Sequence, residues 1–351
     1  MNNKKIIVKK KISLLNFPVI IAILICAILV SLFLSLIIPI SFDKKQLKEV
    51  SITYGTGLRK ISNMLASNGF IRNSLAFEIY ALATGSNKKF QAGEYEFSAG
   101  ESALDIANKL VKGDVKKHQI VVPEGSDIGD IDRILSDAGM IKSGDVLKAV
   151  ADKSLLKAMG IDNQSAEGLL FPDTYFIVRG ETAEKILQTM HERFIEKTVI
   201  DINRVYDIQG YKATGYKVLI MASIIEKESR LDVERFLVSS VFYNRLKSPE
   251  AYQKRLESCA TVRYALNKKK GIITYKDLRV ENPYNTYIRI GLPPGPICNP
   301  GIPSMTAALK PAVTKYRYFV LYENGEHTFS ETLEQHNIAK IKNKRIRQGQ
   351  E

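Results

Sequence analysis

Glu94-Tyr-Glu-Phe-Ser-Ala-Gly-Glu-Ser-Ala-Leu-Asp-Ile-Ala-Asn-Lys-Leu110 reads as a strand, a turn and a helix in close succession. Glu94 to Phe97 is short and aromatic, Gly100 supplies the turn, and Ala103, Ile106 and Leu110 fall on one helical face. The spacing recurs twice. Gly55, Leu58, Ile61 and Leu65 follow the extended stretch Val50 to Tyr54, and Gly125, Ile128, Ile131 and Leu135 follow Gln119 to Val122. Short strands interleaved with amphipathic helices define an α+β fold.

Beyond residue 140 the pattern becomes predominantly helical. Helices are expected from Ser143 towards Lys153, from Glu181 to Thr198 and, as one or two pieces, from Lys217 to Lys247. Ser304 is expected to cap a shorter helix ending before Pro311. Tyr316 to Tyr322 then alternates up to Asn324-Gly325, a preferred two-residue turn, and returns through His327 to Phe329 as a C-terminal β-hairpin. A final helix from Glu331 ends in a basic tail.

No residue between Ile12 and Phe42 is charged, and Val19 to Ile38 is apolar except for Ser31 and Ser35. At the helical rise this run covers roughly 30 Å, the thickness of a bilayer core. A buried helix of that length would carry a polar face, and a cleaved signal peptide would have a shorter apolar run with a small-residue cleavage site. Residues 1–42 are therefore read as a cytoplasmic N-terminus and a retained transmembrane anchor. Lys4, Lys5, Lys9, Lys10 and Lys11 precede the span with no acidic residue among them, which keeps the N-terminus in the cytoplasm. The expected location is the cell inner membrane, single-pass, with the rest of the chain exported to the periplasm. The exported part keeps +9 of the +14 net charge once those five lysines are set aside. A basic exported surface suits anionic wall polymers and lipid headgroups. Nucleic acid is excluded by the compartment and by the lack of a binding motif.

His118, His191, His327 and His336 form no His-Glu-x-x-His pattern, and the three cysteines form no ligand cluster, so no metal is expected. There is no Gly-rich phosphate loop and no Gly-x-Ser-x-Gly elbow, and the Ser-x-x-Lys tetrads at Ser41 and Ser154 lack a Lys-Thr-Gly partner. Cys26 lies in the span, while Cys259 and Cys298 either pair in an oxidising compartment or remain free thiols.

The chemistry-bearing candidate is a carboxylate in Met221-Ala-Ser-Ile-Ile-Glu-Lys-Glu228. With Met221 at zero on a helical wheel, Ile225 falls at about 40° and Glu228 at about −20°, whereas Glu226 falls at about 140°, on the side expected to face solvent. A carboxyl held among Met and Ile is desolvated and its pKa rises towards a general acid's range. Pattern alone leaves two readings open, a general acid or a buried glutamate paired to an arginine such as Arg235.

Glu167-Gly-Leu-Leu-Phe-Pro-Asp-Thr-Tyr175, Met221 to Glu228, Val241-Phe-Tyr-Asn-Arg-Leu246, Tyr284-Asn-Thr-Tyr287, Gly291-Leu-Pro-Pro-Gly295 and Asn299-Pro-Gly301, behind one N-terminal anchor, closely resemble the YceG-like endolytic murein transglycosylases. The similar blocks run in order from the anchor to His336-Asn337. The resemblance implies a peptidoglycan lytic transglycosylase that needs no cofactor. Such an enzyme cleaves the MurNAc–GlcNAc bond of nascent glycan strands, leaves 1,6-anhydro-MurNAc ends and terminates elongation. The second Glu of the Glu-Lys-Glu triplet, here Glu228, is then the catalytic residue. Many members carry Asp-Pro where this chain has Cys259-Ala260, which leaves the role of position 259 open.

Tyr284, Asn285, Thr286 and Tyr287 form either a sugar-binding loop or a packed structural one, and Phe171 and Tyr175 either stack on sugar faces or close the core. His327 either orients the catalytic carboxyl or sits on the surface. The strand-turn-helix unit resembles the LysM-like modules of wall-binding proteins, so residues 43–118 are expected as such a module, or as a plain α+β spacer. A larger, mostly helical catalytic domain follows over residues 119–351. Peptidoglycan glycan strands and membrane-bound peptidoglycan synthases are the implied partners. Two alternatives remain: a lysozyme-type hydrolase using Asp232, Glu234 or Glu257 as a second carboxylate, and a non-catalytic wall-binding scaffold.

Overall fold

The computed structural model describes residues 17–43, 45–162, 165–229, 231–322 and 325–347. The five lysines preceding the span, and Asn324 of the expected turn, lie outside the described residues. The chain divides into two compact units, residues 1–117 and 118–351.

The first unit begins with α1 (Phe17–Ile37), which carries no charged side chain and, among the described residues, is the one helix long and apolar enough to cross a membrane. Its side chains are largely exposed, as a lipid-facing helix requires. There follow β1 (Leu47–Ile52), α2 (Leu58–Ser67), α3 (Ser74–Ala83), β2 (Gly93–Ser98) and α4 (Ala103–Lys112). β1 and β2 pair antiparallel, with Val50 opposite Tyr95. The first two copies of the sequence repeat thus place their strands side by side. Ile61 and Leu65 of α2 and Ile106 and Leu110 of α4 are buried with Tyr95 and Phe97 in one core. Ser102 caps α4 through a reciprocal box with Asp105, which satisfies donors that the helix itself leaves unpaired.

The second unit opens with the third copy, β3 (Lys117–Val121) and α5 (Ile128–Asp137), followed by α6 (Asp145–Ala151), α7 (Lys153–Ala158), β4 (Thr174–Val178), α8 (Ala183–Lys197), β5 (Val205–Ile208), β6 (Tyr211–Thr214), α9 (Gly215–Glu228) and α10 (Asp232–Leu246). Then come α11 (Cys259–Ala265), α12 (Ile302–Leu309), β7 (Tyr318–Leu321), β8 (His327–Ser330) and α13 (Leu333–Arg347). β3 pairs with β4, β5 with β6 and β7 with β8, so every sheet among the described residues has two strands. The β7–β8 pair is antiparallel, with Leu321 opposite His327. This is a mixed α+β fold in which helices supply most of the core.

Two expected helix starts shift for local reasons. The helix expected at Ser143 begins at Asp145, because the buried Asp132 reaches across from α5 and accepts from the amides of Gly144 and Val146. Ser304 does not cap α12. That helix starts at Ile302 after Gly301, with Pro303 in its first turn where a missing N–H costs nothing, and Ser304 is buried inside it.

α9 is buried on nearly every side, from Val218 to Ile225, and packs against α10, α11 and α12. Inside it the Ser223 hydroxyl accepts from the Ile297 amide at 3.0 Å, tying the Gly/Pro-rich loop to the helix. A second polar staple joins three distant segments. Asn299 accepts from the Leu170 amide at 3.0 Å and donates to the Ser126 carbonyl at 2.9 Å and to Glu167 at 3.3 Å. Glu167 also accepts from the Ile128 amide and the Tyr264 hydroxyl, each at 3.2 Å. Gly168 follows at φ +82, and a β-carbon there would approach Pro296 to 2.6 Å, so the turn beside Glu167 requires glycine.

Burial pushes the Glu167 carboxyl up to about 8, against the pull of its Ile128 and Tyr264 hydrogen bonds. A raised native pKa means that the native state holds the proton more tightly than the unfolded chain does. The stability this contributes is complete below the unfolded value of 4.5 and is lost as pH rises through about 8. The unfolding free energy of the detergent-solubilised chain should therefore fall across that window, and Glu167→Gln should flatten the fall; equal slopes in urea titrations of the two proteins would contradict the assignment. Asn299→Ala strands the buried Leu170 amide, while the Ser126 carbonyl keeps the Asn299 backbone amide at 2.9 Å, and should lower stability by about 1–3 kcal/mol in the same titrations.

Candidate active site

Glu228 is the last residue of α9, where the helix leaves the core. Its carboxylate meets the start of α11, accepting from the hydroxyl of Ser258 and from the backbone amide of Ala260. Burial raises its pKa; the Ser258 and Ala260 hydrogen bonds and the charges of His327 and Arg245 oppose that rise without cancelling it. The helix holds a carboxyl that favours its proton.

The turn that delivers Ser258 is backbone-strained. Glu257 sits at φ 52, in the left-handed region that L side chains rarely adopt. Its amide donates to the Thr286 carbonyl at 3.2 Å and its carboxylate pairs with Arg245 at 3.2 Å. The Thr286 hydroxyl accepts from the Ser258 amide at 3.0 Å and pairs with the Thr261 hydroxyl at 2.9 Å. Arg245 also donates to the Leu256 and Arg317 carbonyls, at 2.8 and 2.7 Å. Residues from α10, from the 284–287 loop and from α11 thus converge to aim one hydroxyl at Glu228.

Glu228 lines an open cleft of about 620 Å³ together with Tyr287, Cys259, Glu257, His327 and Phe319, among others. Of the residues expected to touch substrate, Tyr287 is in this cleft, its hydroxyl 3.1 Å from the Cys259 sulfur. Thr286 lies beneath it and shapes the Ser258 turn. Asn285 is fully buried and closes its loop, donating to the Leu278 and Val280 carbonyls and accepting from the Tyr287 amide. Tyr284 packs on Tyr264 with ring centroids 4.9 Å apart and is not among the cleft residues. Phe171 and Tyr175 are buried in the core, the Tyr175 hydroxyl donating to the Phe171 carbonyl, so the structure does not bring them to Glu228.

Two expectations are corrected. Glu226 does not face solvent: its side chain is 6% exposed, pairs with the buried Arg235 at 3.3 Å and accepts from the Gly301 amide at 3.0 Å. A wheel assigns one face to the core, but α9 is enclosed by helices on several sides. The arginine pairing considered for Glu228 belongs to Glu226. His327 is not a surface residue either. Its side chain is 4% exposed, and its amide and Nδ1 contact the two carboxylate oxygens of Glu234 at 2.8 and 2.6 Å while the ring lines the cleft. Cys259 and Cys298 are free thiols, one exposed and one buried.

Ser258, Thr261 and Arg245 are the site residues that sequence reasoning missed, while Glu234, weighed there as a second carboxylate, instead holds His327. A signal existed for Ser258, a cap-type residue directly before Cys259-Ala-Thr-Val-Arg-Tyr-Ala265.

Comparison with known proteins matches residues 50–342 to the YceG-like family. An endolytic murein transglycosylase of Bacillus subtilis is 33% identical over 324 residues, 88% of each chain. One from Streptococcus pneumoniae is 26% identical over 344 residues, covering 88% of this chain and 61% of that longer protein. A crystal structure of a YceG-like protein from Listeria monocytogenes superposes with a TM-score of 0.54 at 34% identity, over 84% of this chain and 99% of that one. With the match spanning most of its length, the chain belongs to the YceG-like family.

Proposed function

We propose that the chain is a membrane-anchored endolytic peptidoglycan lytic transglycosylase in which Glu228 serves as general acid and then as general base. The observation that carries this reading is a single carboxyl of raised pKa, held at a helix end and opening onto a cleft. The names of the Bacillus and Streptococcus relatives support the same activity.

Protonated Glu228 gives its proton to the oxygen bridging MurNAc and GlcNAc, the glycosidic bond breaks, and the muramoyl C1 becomes oxocarbenium-like. The resulting carboxylate takes the proton from the muramoyl 6-hydroxyl as that oxygen closes onto C1, which gives the 1,6-anhydro end and restores the acid. Ser258 stabilises the carboxylate between the two proton transfers. Tyr287, which lines the cleft beside Glu228, is the aromatic residue of the expected set that would contact sugar. Glu257 lines the same cleft and keeps a hydrolytic second-carboxylate reading in view, although its carboxylate is engaged by Arg245. Anchored by α1 with residues after Phe42 exported, the enzyme would reach nascent strands near membrane-bound peptidoglycan synthases, its proposed partners, while the 43–118 module holds it on glycan.

Glu228→Gln keeps shape and hydrogen bonding but cannot transfer the proton, so strand cleavage followed by chromatography should fall by about 10² to 10⁴-fold with the fold retained. Glu226→Gln removes the buried partner of Arg235 and leaves it only the exposed Asp232 at 3.2 Å, so it should instead lower stability by about 3 kcal/mol in urea titration. Undiminished cleavage by the Glu228→Gln protein would remove Glu228 from the chemistry. Ser258→Ala deletes a donor that favours the charged carboxylate, so the Glu228 pKa should rise further. Because the protonated acid starts the reaction, the high-pH limb of the kcat/KM profile should move to higher pH; movement to lower pH would contradict the hydrogen bond's role.

A further inference from the structure

Beside the Glu228 cleft lies a smaller depression of about 190 Å³, and the two share Lys227, Ala260 and Arg263 in their walls. Three of the cations around them are neutralised in place. Lys269 pairs with Asp127 and Asp130, Lys268 with Asp277 at 2.8 Å, and Arg245 with Glu257 at 3.2 Å. Lys227 and Arg263 differ: Lys227 donates to the Gly125 carbonyl at 2.8 Å and Arg263 to the Gly271 carbonyl at 2.7 Å, and neither has a carboxylate partner among the described residues. A carbonyl satisfies a donor but leaves the charge uncompensated. Two uncompensated cations therefore stand on the shared wall, one adjacent in sequence to the catalytic carboxyl and the other on α11, whose start holds that carboxyl.

We propose that Lys227 and Arg263 form a carboxylate subsite that takes the acidic stem peptide carried by the muramic acid at the cleavage point. This rests on the transglycosylase reading. Neutral N-acetylated glycans would lack the group these cations face, so the pair distinguishes peptide-bearing wall glycan from uncharged polymers of similar sugars. An arginine fork can grip a carboxylate through two parallel donors, while the lysine adds a point charge. The contribution should weaken with salt because the site is open.

The test uses full-length Glu228→Gln protein in detergent, which binds without cutting, and fluorescently labelled glycan strands in three forms. One keeps its stem-peptide carboxylates, one has them capped as amides, and one has had its peptides removed so that only the lactyl carboxylates remain. Anisotropy should give a Kd roughly tenfold lower for the first form than for the capped or stripped forms, a ratio of the size expected for one charged contact. Adding Lys227→Gln and Arg263→Gln should bring the ratio to about one, and Arg263→Lys should restore part of it. Tight binding of stripped strands would assign the subsite to the lactyl carboxylate and overturn the stem-peptide proposal. An unchanged ratio in the double variant, or no preference in its parent, would also overturn it. Anhydro ends released by the unmutated enzyme report on the chemistry separately, so loss of the subsite and loss of the transglycosylase reading give different results.

Discussion

The second unit is organised around the enclosure of α9. From Val218 to Ile225 the helix has no exposed face, yet its last turn carries Glu226 and Glu228 with their carboxyls turned inward and Lys227 exposed between them. Each carboxyl is provided for differently. Glu226 is neutralised by Arg235 and the Gly301 amide, which makes it part of the scaffold. Glu228 accepts hydrogen bonds from the start of α11 and the charges of His327 and Arg245 pull the same way, yet burial dominates its pKa. Two glutamates two positions apart thus become a structural ion pair and a reactive acid because different groups face them.

The remainder of the architecture holds those groups in place. Asn299 and Glu167 tie the third strand-turn-helix copy to the Gly/Pro-rich loop, Ser223 ties that loop to α9, and Thr286 and Arg245 fix the strained turn that presents Ser258. Hydrogen bonds in such a network leave little freedom to the carboxyl they surround, and pre-organisation of this kind is what general acid catalysis requires. The blocks singled out in the sequence supply much of this support, and of the residues weighed for the site Glu228, Tyr287, His327 and Glu257 reach the cleft.

Local signals in the sequence were enough for the apolar span, the three strand-turn-helix copies and the long helices, because each depends on periodicity within a dozen residues. Ile61, Leu65, Ile106, Leu110, Ile131 and Leu135 are all buried as their spacing requires. Features set by distant partners were not legible. The phase of Glu226 depended on Arg235 and Gly301, the burial of His327 on Glu234, and the start of α6 on Asp132. The β5–β6 hairpin was missed because its turn, Gln209-Gly210 at φ 51 and 86, lacks the usual Asn-Gly signature.

The central claim is that one carboxyl moves a proton to the leaving oxygen and then recovers one from the substrate itself, with no water consumed. Cleavage of purified glycan strands in heavy-oxygen water, followed by mass analysis of the new ends, tests this directly. The account predicts 1,6-anhydro ends carrying no label. Labelled reducing ends would show that water attacked the muramoyl C1, and would make Glu228 the acid of a hydrolase.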